Sequence, residues 1–184
     1  MASRHSAGMS ATVRPSADAD LPAITAIYEP EVLHGSASFE LHPPDATEMA
    51  RRRGEIIALG LPYLVAELDG AVAAYAYAGP YHRRPGYRFT VEDSIYVGAA
   101  ARGRGVGGAL LRELVARCEA WGARRMIAVI GDSANAASIA LHARAGFRSV
   151  GCLPAVGWKH GRWLDSVLMQ RALGEGEGTP PDRR

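Results

Sequence analysis

A turn with four glycines, set between an apolar run and a helix-like run, constrains the fold of this chain most strongly. The turn covers residues 102–108; residues 94–97 precede it and residues 109–115 follow it. A strand, a glycine turn and a helix N-terminus in this order leave several backbone N–H groups without intrahelical partners. The helix dipole places roughly half a positive charge there, and Arg102 and Arg104 add full charges. The segment therefore predicts a site for a phosphate or a pyrophosphate.

The residues around the turn argue against two common phosphate loops. A P-loop requires Lys and then Ser or Thr after its last glycine, whereas Gly108 is followed by Ala109. A dinucleotide-binding loop has the spacing G-x-G-x-x-G, which Gly103, Gly105 and Gly108 satisfy, but it also expects an acidic residue about 20 residues on, at the end of the next strand. Here the strand-like segment at residues 124–130 carries no carboxylate. The pattern that fits without such a conflict is Arg-x-x-Gly-x-Gly, at Arg102, Gly105 and Gly107.

A second motif begins at Asn135 and continues through Ser138 and His142 to a Gly-Phe pair at 146–147. The two motifs, in this order and with a strand-like segment between them, resemble the coenzyme segments of the GCN5-related N-acetyltransferases. That family holds the pyrophosphate of coenzyme A in the glycine loop. The resemblance implies that acetyl-CoA is bound by a set of loop, strand and helix residues: Ile95, Tyr96, Val97, Arg102, Gly103, Arg104, Gly105, Val106, Gly107, Asn135 and Ser138.

Hydrophobic periodicity predicts strands interspersed with helices, which indicates an α/β or α+β mixed sheet. The family resemblance sharpens this to about seven mostly antiparallel strands flanked by four helices, with a splayed parallel pair that holds the coenzyme. We expect one acetyltransferase domain at residues 12–172. Residues 1–11 and 173–184 are predicted to be disordered tails, because they are polar or rich in helix breakers. The sequence leaves open whether Met1 or Met9 is the natural start.

Composition narrows the class of protein. The net charge of +2 does not indicate a nucleic-acid partner, since the arginines are scattered apart from the glycine turn. No apolar run reaches the roughly 18 residues of a membrane-spanning helix, and the N-terminus lacks a signal core. The cysteines, Cys118 and Cys152, have no metal-site or disulfide spacing. We therefore expect a cytoplasmic protein without a metal.

The run at residues 88–97 is predicted to be one long strand, which places Arg88, Thr90 and Glu92 on one face. An amine substrate arrives as an ammonium group, which has no lone pair, so a proton acceptor is needed. A partly buried glutamate has a raised pKa and suits this task, whereas Arg88 would lower that pKa. Two interpretations remain open: Glu92 is a general base, or it pairs with Arg88 across the sheet face.

Three further segments, residues 75–81, 87–97 and 156–165, resemble the phosphinothricin acetyltransferase branch, with its methionine sulfone and sulfoximine relatives. The likeness covers about residues 12–171. It implies direct transfer of an acetyl group from acetyl-CoA to the α-amino group of a small amino acid or analogue, with Glu92 as base. The branch also implies a homodimer. An arginine can grip a substrate carboxylate bidentately. The candidate substrate residues are Phe39, Arg83, Arg84, Arg88 and Thr90.

His142 has three candidate roles. It lies seven residues after Asn135, where many family members have a tyrosine that protonates the departing thiolate. An imidazole titrates near neutrality, so His142 could act as the acid, share base duty with Glu92, or only form part of the coenzyme wall. Transfer through an acetyl-cysteine is less expected, because Cys118 has apolar neighbours and Cys152 has no adjacent base.

Other functions stay open at this stage. A related acetyltransferase could act on a peptide N-terminus, a polyamine or an aminoglycoside. A non-catalytic acetyl-CoA sensor or a nucleotide-binding module would share the glycine loop. The identity of the physiological amine does not follow from the sequence, because a single pocket residue can change it.

Overall fold

The computed structural model describes residues 11–181, where seven strands form one sheet and four α-helices flank it. The strands are β1 Thr12–Pro15, β2 Tyr63–Leu68, β3 Ala71–Pro80, β4 Thr90–Val97, β5 Arg125–Gly131, β6 Arg148–Lys159 and β7 Arg162–Ala172. The helices are α1 Leu21–Leu33, α2 Ala46–Ala58, α3 Val106–Trp121 and α4 Ala136–Arg144. Apart from Ala11, the predicted N-terminal tail and both candidate start methionines lie outside the described residues. None of the helices within residues 11–181 is long and apolar enough to cross a membrane.

The strand order β1-β2-β3-β4-β5-β7-β6 confirms the predicted mixed sheet. Every neighbouring pair is antiparallel except β4 and β5, which run parallel. Their pairing begins at Thr90↔Arg125 and stops at Asp93↔Ala128. Beyond that point the backbone of residues 94–97 is hydrogen-bonded to β3 but not to β5. A gap therefore opens in the sheet between the ends of the parallel strands.

The two faces of the sheet bury different kinds of side chain. The face under α3 is aliphatic, with Leu110, Leu111 and Met126 fully buried. The face under α1 and α2 is aromatic, and Tyr75 stacks on Tyr63 and Tyr96 there. Because side chains alternate along β4, successive residues of that strand face these two layers in turn.

The predicted two-residue hairpin between β2 and β3 is confirmed. Asp69 and Gly70 both have positive φ, at 57° and 79°. Turns of this kind match the twist of the strands they join, and Asp and Gly tolerate the left-handed conformation best.

The start of β4 differs from the sequence prediction. The strand begins at Thr90 and not at Arg88, because Pro85–Tyr87 form a short 3₁₀ helix. Arg88 caps that helix in a right-handed helical conformation, and its N–H donates to the Pro85 carbonyl at 3.2 Å. Arg88 is therefore not part of the strand and does not share its face with Glu92.

The chain beyond β7 packs against the domain at first. Leu173 is fully buried, because it continues the alternation of β7 into the aliphatic core. Glu175 and Glu177 form ion pairs with Arg124 and Arg125. The sequence predicts a disordered tail from residue 173, but residues 173–177 lie against the sheet in the structure. Composition does not reveal this contact, because Leu173, the apolar residue that anchors the segment, is followed only by glycine and glutamate up to residue 178.

Candidate active site

The glycine turn between β4 and α3 forms a loop at the N-terminus of α3, as predicted. Gly103 and Gly105 have positive φ, at 74° and 79°, which other residues adopt only with strain. Helix α3 starts at Val106, and its first backbone bond runs from the Ala109 N–H to the Gly105 carbonyl at 3.1 Å. The N–H groups of residues 106–108 therefore have no intrahelical acceptor. They are available to an anion.

A long groove runs from this loop along α4 to the gap between β4 and β5. Nine of the predicted coenzyme residues line it: Ile95, Tyr96, Val97, Arg102, Gly103, Gly105, Gly107, Asn135 and Ser138. Two do not. Val106 is buried in the aliphatic core, and Arg104 points to the β2–β3 turn, where it pairs with Asp69 at 3.4 Å.

Three guanidinium groups and one carboxylate, that of Glu31, line the groove, which leaves it with a net positive charge. Arg102 lies at the loop, donates to the Val97 carbonyl at 3.1 Å, and also pairs with Glu31. Arg112 and Arg144 are the other two, and neither is among the residues predicted from the sequence. Each lies one helical turn beyond a small groove residue, so helical spacing from the two motifs could have indicated them. The charge suits a ligand with several phosphate groups.

A smaller pocket of about 190 Å³ continues the groove into the gap. It is lined by the end of β4, by β5, by α4 and by the loop between α1 and α2. The groove and the pocket share five lining residues: Ala37, Ile95, Tyr96, Asn135 and Ser138. A ligand in the groove can therefore extend one end into the pocket. Both predicted catalytic residues, Glu92 and His142, line the pocket.

Glu92 has the environment of a proton acceptor. Burial, and secondarily the charge of Asp93, raise the pKa of its carboxyl above the ordinary glutamate value. Arg88 does not oppose this effect, because its guanidinium stacks on the Phe89 ring, 4.5 Å from the ring centre, and donates to the Pro85 carbonyl. Among the ion pairs of residues 11–181 there is none to Glu92. Pairing of Glu92 with Arg88, one of the two interpretations left open by the sequence, is therefore wrong.

His142 is buried and held at both ring nitrogens. Its Nε2 lies 2.9 Å from Oδ2 of Asp93, and its Nδ1 lies 2.8 Å from the Ser138 carbonyl oxygen. Asp93 was not identified as a site residue by sequence reasoning. The available signal was a carboxylate on the face of β4 that otherwise carries Val91 and Ile95.

The loop between α1 and α2 closes one side of the pocket. Phe39 lines the pocket, as the sequence predicts for a substrate wall. Its ring lies against Gly157, where an added Cβ would approach the ring to 2.9 Å. The buried Lys159 ammonium donates to the Ser38 carbonyl at 2.6 Å and so ties the loop to β6. The glycine and the lysine thus hold Phe39 at the pocket.

The predicted substrate cations are not brought into the pocket. Arg83, Arg84 and Arg88 are exposed on the segment between β3 and β4, outside the lining. Thr90 shares a face of β4 with Glu92 but does not line the pocket either. The charged side chains that do line it are Glu92 and Asp93, together with His142.

Neither cysteine is placed to act as a nucleophile. Cys118 is fully buried on α3, and burial raises the pKa of its thiol to about 12. A thiol with such a pKa remains protonated at neutral pH and is a poor nucleophile. Cys152 is exposed on β6 and does not line the pocket. The geometry favours direct transfer over an acetyl-cysteine route.

Comparison with known proteins agrees with this geometry. The model of the Acetyltransferase (GNAT) family matches residues 22–147. The chain is 55% identical over 171 residues to a phosphinothricin N-acetyltransferase of Alcaligenes faecalis, covering 93% of this chain and 87% of that protein. It is 42% identical to an L-methionine sulfoximine/L-methionine sulfone acetyltransferase of Pseudomonas paraeruginosa, covering 94% of this chain and 100% of that protein.

A solved structure is similar over nearly the whole chain. It is a GNAT superfamily phosphinothricin acetyltransferase from Sinorhizobium meliloti in complex with AcCoA, with a TM-score of 0.92, 53% sequence identity and coverage of 95% of both chains. The mixed sheet with one splayed parallel pair, the glycine loop and these similarities lead to one assignment: the chain belongs to the GNAT family of acetyltransferases.

Proposed function

We propose that this enzyme transfers an acetyl group from acetyl-CoA to the α-amino group of a small amino acid or analogue of the phosphinothricin, methionine sulfone or methionine sulfoximine type. The observation that carries the proposal is the junction at the sheet gap. There an anion-binding groove ends in a small pocket that holds a carboxylate with a raised pKa. The chain's 55% identity to a phosphinothricin N-acetyltransferase supports this substrate class.

The groove residues fit the coenzyme. The free N–H groups of the glycine loop and the guanidinium of Arg102 suit its diphosphate. The backbone of residues 95–97, unpaired toward β5, suits the pantetheine amides as an added strand. Acetyl-CoA, when bound, supplies the acetyl group as a thioester.

Glu92 then acts as the general base for the amine. It takes a proton from the substrate ammonium group, which frees a lone pair for attack on the thioester carbonyl. A backbone N–H near Val97 donates to the carbonyl oxygen as negative charge develops there. Because Arg83, Arg84 and Arg88 lie outside the pocket, the preference for an amino acid rests on the relatives and not on these cations.

A substrate panel tests the proposal. The full chain is assayed with acetyl-CoA by release of the thiol, on phosphinothricin, methionine sulfone, methionine sulfoximine, spermidine, an aminoglycoside and a short peptide. We expect kcat/KM for the amino-acid analogues to exceed that for the other amines by about 100-fold or more, because the pocket is small. N-acetylated methionine sulfone, which has no free amine, serves as the matched control.

Two outcomes of the panel would contradict the proposal. A preference for spermidine or the peptide would indicate a different substrate class for the same chemistry. Absence of thiol release with every amine, together with retained acetyl-CoA binding, would instead indicate a sensor.

We further infer that the enzyme is a homodimer that uses the edge strand β6. The outer part of β6 is exposed and carries large apolar side chains, namely Val150, Leu153, Val156 and Trp158, beside Trp163 of β7. Trp158 and Trp163 lie opposite each other in the register, with ring centres 5.2 Å apart. A long exposed apolar edge is typical of an interaction surface, and a second copy can cover it symmetrically.

Sedimentation of the wild type and of a charged variant tests the dimer. We expect the wild type to sediment as a dimer, and Trp158→Glu combined with Leu153→Glu to sediment as a monomer, because buried unpaired charges disfavour the interface. Leu41→Glu, at an exposed leucine outside this edge, is the control and should remain dimeric. A monomeric wild type at micromolar concentration would refute the inference.

A further inference from the structure

Asp93 is a buried carboxylate that the proposed reaction has not used. It is 6% exposed and lies on the α3 side of β4, whereas Glu92 lies on the aromatic side. Its Oδ2 contacts His142, and its Oδ1 is buried without a hydrogen-bond partner among residues 11–181. A buried carboxylate needs compensation. Here His142 supplies it.

The hydrogen bonds of His142 fix how many protons the pair holds. The Ser138 carbonyl can only accept, so Nδ1 of His142 carries a hydrogen. One more proton lies between Nε2 of His142 and Oδ2 of Asp93. Because an imidazole is a stronger base than a carboxylate, Nε2 carries that proton, and the imidazolium and the carboxylate are together neutral. Loss of that proton would leave a buried carboxylate facing the lone pair of the imidazole. The pair therefore retains its proton at neutral pH.

The balance of forces on His142 agrees with this count. Burial has the largest single effect on His142 and lowers its pKa. The hydrogen bond to Asp93, the charge of Asp93 and the hydrogen bond to the Ser138 carbonyl together outweigh burial, so the pKa is raised above the ordinary histidine value. Other titratable groups lie near Asp93: Glu92 on β4, and Cys118 on α3. The charge of Asp93 contributes to the raised pKa of both. Phe147 packs edge-on against the His142 ring and adds no charge.

We propose that Asp93 is a positioning residue of the acetyl-transfer site that acts through His142. It holds the imidazole in one orientation and keeps it protonated, so that His142 serves the reaction as an acid and not as the base. This inference rests on the proposed function. It also assigns the two proton-transfer roles to different faces of β4, with Glu92 as acceptor on one face and the Asp93–His142 pair as donor on the other.

The step balances with the groups present. As the C–N bond forms, the C–S bond of the thioester breaks, and the thiolate takes the proton of the Asp93–His142 pair directly or through one water. The substrate nitrogen loses two protons, of which one goes to Glu92 and the other to solvent. The pair and Glu92 return to their starting states by exchange with solvent, and one proton is released in each turnover.

Asp93→Asn tests the role with little change in shape. The asparagine amide can donate to Nε2 of a neutral His142, so the pair stays hydrogen-bonded and uncharged but lacks the stored proton. We expect kcat at pH 8 to fall by about tenfold or more, with KM for acetyl-CoA within about twofold of the wild type. Asp69→Asn, in the exposed hairpin turn, is the matched control and should keep the wild-type kcat.

The pH profile distinguishes this role from simple structural support. An acid works in its protonated form, so the wild-type kcat should fall as pH rises through the raised pKa of the pair. Without the carboxylate the pKa of His142 falls, and the basic limb of the Asp93→Asn profile should move to lower pH. An unchanged kcat and an unchanged basic limb would overturn the proposal.

An NMR titration of the His142 ring nitrogens gives a readout that depends on neither activity nor the folding of a variant. The wild-type ring should be protonated at pH 7, and a neutral ring there would also overturn the proposal. The two proposals fail differently. A wild type without transfer to any amine refutes the proposed function, whereas an active wild type with an unaffected Asp93→Asn variant refutes only the role of Asp93.

Discussion

Glu92→Gln is expected to lower kcat by about 100-fold or more while the KM for acetyl-CoA stays within about twofold of the wild type. The amide keeps the size of the side chain but cannot accept a proton from the substrate ammonium. Glu92 lines the smaller pocket but not the groove proposed for the coenzyme, so acetyl-CoA binding should be retained. Steady-state kinetics with methionine sulfone and isothermal titration with acetyl-CoA measure the two effects separately.

The pH dependence of the wild type gives an independent check on Glu92. A base works in its ionised form, and burial raises the pKa of Glu92. The rate should therefore fall, as pH is lowered, at a pH above the ordinary glutamate pKa. This acidic limb should be absent in Glu92→Gln.

Glu113→Gln is the matched control for the loss of a glutamate. Glu113 lies on the exposed side of α3, where it pairs with Arg117 one turn away. It lines neither the groove nor the smaller pocket. We expect wild-type kinetics from this variant. If Glu92→Gln also kept the wild-type kcat, Glu92 would not be the base, and proton removal would have to be assigned to another group or to solvent.

Gly105→Ala is expected to raise the KM for acetyl-CoA by about tenfold, with a smaller effect on kcat. Gly105 precedes the first residue of α3 with a φ of 79°, and a left-handed conformation costs an alanine about 1–2 kcal/mol. An added Cβ would meet no atom within 4 Å, so backbone strain is the cause and not a clash. The loop relieves the strain by shifting, which misaligns the N–H groups available to the diphosphate, and about 1.4 kcal/mol corresponds to a tenfold loss of affinity.

Gly54→Ala is the matched control for the added methyl group. Gly54 lies inside α2, where a Cβ would also meet nothing within 4 Å and where φ is not positive. Alanine favours the helix over glycine by about 1 kcal/mol, so this variant should unfold at a slightly higher temperature with unchanged KM. Equal KM values for Gly105→Ala and the wild type would mean that the loop does not position the coenzyme.

The local part of the site was predictable from the sequence because it depends on neighbours along the chain. The glycine turn needs only its own backbone conformations and the helix that follows it. The second motif likewise depends on one helix, since Asn135 caps α4 and the carbonyl of Ser138 contacts His142 one turn later. The hairpin at Asp69 and Gly70 is determined by two residues.

Two predictions are wrong for different reasons. Alternation with Thr90 and Glu92 predicts that Arg88 lies in the long strand, but a local 3₁₀ turn at Pro85 ends that alternation. The arginines at 83, 84 and 88 suited an anionic substrate by charge, and the structure leaves them exposed outside the pocket. Charge and spacing describe what a side chain could bind, but not whether the fold brings it there.

The sequence by itself determined the elements of the fold and the nature of the groove, because glycine conformation, helix dipoles and strand alternation are local properties. Only the tertiary structure decided the pairing of Asp93 with His142, which are 49 residues apart in the chain. Their contact exists because α4 packs over the point where β4 and β5 separate. In that buried position one shared proton keeps the pair neutral, and a linear pattern of residues does not reveal such a balance.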